Sequence, residues 1–84
     1  MSARIEPELA VRLRGDPGTR LEVILTATDG LDELVAQLPT DVQVEHRYRL
    51  IAGVAVTATA GTLRRVAEMP VVKSMEPVRP VRSC

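Results

Sequence analysis

Apolar residues recur along this chain in two alternating rhythms, and the switches between them outline its elements. Leu21-Glu22-Val23-Ile24-Leu25-Thr26-Ala27 is short, branched and mostly apolar, the pattern of a central strand. Leu31, Leu34, Val35 and Leu38 then fall at i, i+3, i+4 and i+7, so one face of a helix is apolar while Asp32, Glu33 and Gln37 face water. Asp29 is placed to cap that helix and Pro39 to stop it. From Val42 the period becomes two. Val42, Val44, His46, Tyr48 and Leu50 share one side and Gln43, Glu45, Arg47 and Arg49 the other, which predicts a second strand polar enough to lie at a sheet edge.

Ile51-Ala52-Gly53 predicts a tight connection in which Gly53 admits positive φ or a close backbone approach, and Val54 to Ala58 returns as a third strand of small apolar residues. Thr59 caps a second helix that turns Leu63, Val66 and Ala67 inward and Arg64, Arg65 and Glu68 outward, and Pro70 ends it. A fourth strand covers Val71 to Glu76. Ahead of all this, Pro7 opens a short helix carrying Leu9, Val11 and Leu13, which Gly15-Asp16-Pro17-Gly18 closes in a turn. This opening segment reads as an addition to the core.

The order β-α-β-β-α-β predicts a ferredoxin-like α+β sandwich, with two helices on one face of a four-stranded antiparallel sheet. Residues 1–19 form an N-terminal extension, 20–76 the domain and 77–84 a proline-punctuated tail. One sheet face is left without a helix, and the small residues of the third strand make it flat enough for docking.

Composition narrows the chemistry. A chain of 84 residues is one domain with one small core, and its 45% hydrophobic content includes a single aromatic, Tyr48, so that core is aliphatic. Formal net charge is zero, with ten of the eleven basic residues arginine, so no basic field exists to hold a nucleic acid. The aromatics with which an RNA-binding sheet of this topology stacks bases are also missing. Cys84 and His46 are the sole cysteine and histidine, which excludes an internal disulfide and a Cys/His metal set; no cofactor is expected. Ser2, Ser74 and Ser83 lack a nucleophile-elbow context, and there is no phosphate-cradling glycine motif, so the chain does not read as an enzyme. His46 reads as a structural or surface residue, and Arg47, Arg49, Arg64 and Arg65 as solvated faces. No run approaches a membrane span and the N-terminus lacks an apolar signal, so the expectation is a cytoplasmic protein with no membrane partner, or an extracellular one if a signal was removed.

Tyr48, Gly53-Val54-Ala55-Val56, Leu63, Pro70-Val71-Val72 and Met75-Glu76, with Leu21 to Leu25 as first strand, resemble the propeptides of subtilisin-type serine peptidases, a family that includes stand-alone peptidase inhibitors. The resemblance covers roughly residues 20 to 84 and rests on short hydrophobic motifs. It implies binding and inhibition of a subtilisin-like serine protease, with assistance to its folding as an intramolecular chaperone. The docking face and last strand would include Ala55, Thr57, Met75 and Glu76. The tail residues Pro80, Val81, Arg82, Ser83 and Cys84 would lie in the active-site cleft like a product. On that carry-over Cys84 takes the primary specificity subsite and Val81 the apolar subsite three positions upstream; Cys84 departs from the apolar or aromatic end usual in the family. A second reading, from a different class, is a non-inhibitory interaction module that pairs through a sheet edge or its open face, as a homodimer or a regulatory subunit.

Overall fold

The computed structural model describes residues 4–28, 30–48 and 52–78, and folds them as an α+β unit with three helices and a five-stranded mixed sheet. In chain order the elements are β1 (Arg4–Ile5), α1 (Pro7–Leu13), β2 (Arg20–Ala27), α2 (Leu31–Gln37), β3 (Gln43–Arg47), β4 (Gly53–Thr59), α3 (Ala60–Val66) and β5 (Val72–Pro77). Across the sheet they run β1-β5-β2-β4-β3. β2 pairs antiparallel with β4 and β5, β3 pairs antiparallel with β4, and β1 lies parallel to β5. The expected four-stranded antiparallel sheet is thus corrected by one strand, the parallel β1 of the opening segment, while the short helix expected to open there at Pro7 is present as α1.

That segment is held by local chemistry the apolar pattern does not carry. Arg4 and Ile5 lie opposite Ser74 and Met75, and the Glu6 N–H donates to the Met75 carbonyl at 3.2 Å. The Glu6 carboxylate then caps α1, accepting from the Glu8 and Leu9 N–H groups at 3.1 Å each, while Pro7 occupies a first-turn position where no donor is needed. Leu9 and Leu13, one turn apart, enter the core. Val11 does not. Two residues on from Leu9 is roughly 200° around the helix, and Val11 is 68% exposed.

The core lies between the helices and one face of the sheet. Val23 stands opposite Val56, and Leu25 opposite both Val54 and Met75, so all five share a face and all are fully buried. Leu34 of α2 and Leu63 and Val66 of α3 close over them. Each such side chain stabilises the fold by about 1.5–3 kcal/mol through burial. No polar side chain is buried among the described residues. Around this centre Leu31, Val35 and Leu38 pack at the margin of α2, as their spacing predicts. Gly30 is the N-cap of α2 and makes no side-chain cap bond; Asp29, the expected cap, lies outside the described residues.

α3 begins as predicted, with the Thr59 hydroxyl accepting from the Thr62 N–H at 3.3 Å. Its two preceding N–H groups, Ala60 and Gly61, donate to the carbonyls of Thr19 and Pro17 at 2.8 and 3.0 Å. The turn after α1 therefore satisfies donors that a helix start leaves open. The approach is close enough that a Cβ on Gly61 would stand 3.3 Å from Pro17 Cβ. Asp16 builds the turn itself by accepting from the Gly18 N–H at 2.9 Å.

β3 departs from simple alternation. A bulge between Val44 and His46 places Val44 opposite Val56 and Arg47 opposite Val54, on the helix side, whereas Gln43 opposite Thr57 and His46 opposite Ala55 face the other way. Arg47 is thereby brought to the α2 side, where its guanidinium pairs with Asp32. The expected grouping of Val44 with His46, and of Gln43 with Arg47, is corrected by that one extra residue.

Candidate functional site

The face of the sheet away from the helices is built from the residues that alternate with the core. β2 contributes Glu22, Ile24 and Thr26; their partners in β4 are Thr57, Ala55 and Gly53, and those of Ile24 and Thr26 in β5 are Glu76 and Ser74. β3 adds Gln43 beside Thr57 and His46 beside Ala55. The centre of this face is Ile24 with Ala55, which is only 5% exposed yet stands apart from the helix-side core, being covered by its strand neighbours instead. Gly53, Thr26, Thr57 and Ser74 around it are small. The result is a mildly apolar patch of Ile24 and Ala55 among small side chains, bordered by Glu76 on one side and His46 on the other.

The rim is polar. Glu76 stands opposite Ile24 and Glu22 lies two residues from it, and both carboxylates are exposed. On the far rim His46 and Tyr48 meet edge to face, with ring centroids 4.8 Å apart and planes at 76°. The Tyr48 N–H donates to the Gly53 carbonyl at 2.9 Å, which prolongs the β3–β4 pairing to that residue. None of the described glycines has positive φ. Gly53 therefore lies in ordinary extended backbone, and what it contributes is the absence of a side chain on this face.

Of the expected docking residues, Ala55, Thr57 and Glu76 lie on this face. Met75 does not: it pairs with Leu25, is fully buried, and belongs to the core, because adjacent strand residues point to opposite faces. Glu22, Ile24 and Thr26 complete the face without having been singled out. The alternation in Leu21 to Ala27 is their signal, masked by Ile24, an apolar residue on the side without helices.

β5 leads out of this face toward the tail. It reaches Pro77, opposite Val23, and the Val78 N–H still donates to the Glu22 carbonyl at 3.2 Å. The last strand is thus the expected length but set one residue later, and takes in the first residue assigned to the tail. By the alternation of backbone directions along a strand, Pro77 presents its missing donor to the outer side of β5, past the end of β1, where no strand needs it. Pro80, Val81, Arg82, Ser83 and Cys84 lie outside the described residues.

Nothing on the face assembles for nucleophilic chemistry. Ser74 on β5 and His46 on β3 are separated by β2 and β4, a distance of roughly 14 Å at the usual strand spacing. Among the described residues no three His, Cys, Asp or Glu side chains group to hold a metal ion, and no helix is long and apolar enough to cross a membrane. Compared with known proteins, no family model matches the chain, and no curated protein matches it significantly.

Proposed function

We propose that the chain binds and inhibits a subtilisin-like serine protease, its open sheet face docking on the protease surface while residues Pro80 to Cys84 enter the active-site cleft like a product. The observation that carries this reading is the continuity between the two parts: β5, which bears Glu76 on the open face, runs past Pro77 still bonded to β2 and delivers the chain directly to the tail. The strand order β5-β2-β4-β3, all antiparallel, supports the ferredoxin-like arrangement that the resemblance to subtilisin propeptides implies.

An extended tail adds main-chain hydrogen bonds to the edge of a cleft while alternate side chains fill its pockets. Pro77 and Pro80 restrict the free segment and lower the cost of ordering it. A stable interface of roughly 1,600 Å² calls for both tail and face, so the two act together. The domain also favours the folded protease, because whatever binds a native state more tightly than the unfolded one stabilises it. No catalytic role and no cofactor enter this reading.

Edge pairing as a homodimer is the less favoured alternative. β3 is short, bulged and carries Glu45 and Arg47, and β5 is partly covered by β1, features that discourage strand addition. The test is a titration of residual subtilisin activity with the full chain and with a chain ending at Val78, which keeps the bond to Glu22. The full chain inhibits and the shortened one does so at least about tenfold more weakly, a difference of about 1.4 kcal/mol. Equal behaviour of the two, or no inhibition by either, would sink the proposal.

A further inference from the structure

α1 and α3 lie side by side on the helix layer, across the sheet from the open face. Between them runs an open hollow of about 300 Å³. Ala10 of α1 and Ala67, the C-cap of α3, leave the gap, because a single methyl on each side cannot fill it, and Leu13 extends the apolar lining. Arg14 and Arg64 border the same space with Glu68, one turn beyond Arg64 on the chain. Neither arginine has a carboxylate within 4.0 Å among the described residues, where the ion pair formed is Arg47 with Asp32.

The hollow therefore combines an apolar floor with two guanidinium groups and one carboxylate, a net single positive charge. Its backbone has little left to offer. The carbonyls of Val11, Arg12, Leu63, Arg65 and Val66 already accept from Arg14, Gly15, Ala67, Glu68 and Met69. A peptide laid there would bury amide groups without partners, which is costly, whereas an alkyl chain has none to satisfy. The volume lies at the lower limit for ligand pockets and accommodates on the order of ten groups of methylene size, each close to the roughly 30 Å³ share of a water molecule.

We propose that this hollow binds a free aliphatic carboxylate, its head held by Arg14 and Arg64 and its chain lying over Ala10, Leu13 and Ala67. Arginine is suited to the head because its planar fork meets a carboxylate through two parallel hydrogen bonds. Glu68 on the border disfavours more highly charged anions. The site is independent of the protease reading, since it lies on the other layer of the fold and uses none of the same residues.

The experiment is an amide NMR titration of the full chain with octanoate, with octanol as the uncharged counterpart and with acetyl-Leu-Leu as a carboxylate on a peptide. Octanoate moves the amides of residues 10–14 and 64–68 to saturation, and octanol binds about tenfold or more weakly, as expected for loss of charge-assisted hydrogen bonds. Arg14→Ala and Arg64→Ala each weaken octanoate severalfold, Ala10→Leu abolishes its binding by filling the gap, and Arg65→Ala leaves it unchanged. The amide spectrum away from the hollow reports whether each variant is folded, and the two arginine variants decide the matter if Ala10→Leu is not. Equal binding of octanol, unchanged binding in both arginine variants, tighter binding of the dipeptide, or shifts centred elsewhere would each overturn the proposal.

Discussion

The two faces of the sheet are made by the same strands and yet differ in almost every physical respect. Toward the helices, Val23, Leu25, Val54, Val56 and Met75 are fully buried and interlock with Leu9, Leu34 and Leu63. Away from them, Glu22, Ile24, Thr26, Thr57 and Ser74 retain solvent exposure, and only Gly53 and Ala55 are buried, by their neighbours in the sheet. One residue step along a strand separates a side chain that sustains the fold from one available for contact. The lesson is that, on the proposed reading, stability and recognition can be altered separately, even at adjacent positions.

The sharpest way to break the contrast is to exchange what each face does. Leu25→Ala empties a fully enclosed site and costs about 2–5 kcal/mol, a large part of the 5–15 kcal/mol that a domain has, so urea unfolding shifts to much lower midpoints. Thr57→Arg projects a long cation from the open face. It changes the unfolding midpoint little, by within about 0.5 kcal/mol as for ordinary surface substitutions, while the proposed inhibition of subtilisin falls by about tenfold or more. A comparable loss of stability in Thr57→Arg would show that the faces are not separable. Smaller still is Thr59→Ala, which removes the α3 cap and costs about 1 kcal/mol in thermal unfolding with inhibition unaffected at temperatures where the domain is folded.

Much of this organisation is legible in the chain, and the exceptions have physical causes. The spacing of Leu31, Leu34, Val35 and Leu38, the Thr59 cap and the inward set Leu63, Val66 and Ala67 all appear as read, because helical period and capping are local properties. β1 is two residues long, too short for any period, and its pairing with β5 is decided by residues at the far end of the described chain. Leu9, Val11 and Leu13 look like one apolar group until the helical turn separates Val11 from the other two. Alternation in β3 fails at a bulge, which is a matter of register with β4 and leaves no composition of its own. The resemblance puts Met75 beside Glu76 on the docking face, and the pleat sends the two neighbours to opposite sides.

The pairing of β1 with β5 also bears on the order in which the molecule assembles. Arg4 meets Ser74, so this is among the most widely separated couplings in the described chain, and closing so long a loop is entropically the slowest kind of step. The β3–β4 pair, joined by a short connection, can form early, whereas β1 can add only after β5 has settled against β2. The same dependence acts in reverse. With two residues in β1 and one further bond from Glu6, that contact is the weakest seam of the sheet, and it opens before the antiparallel strands do. α1 then stays attached through Leu9 and Leu13 and through the bonds of its following turn to α3, which makes its packing a latch on the last stage of folding.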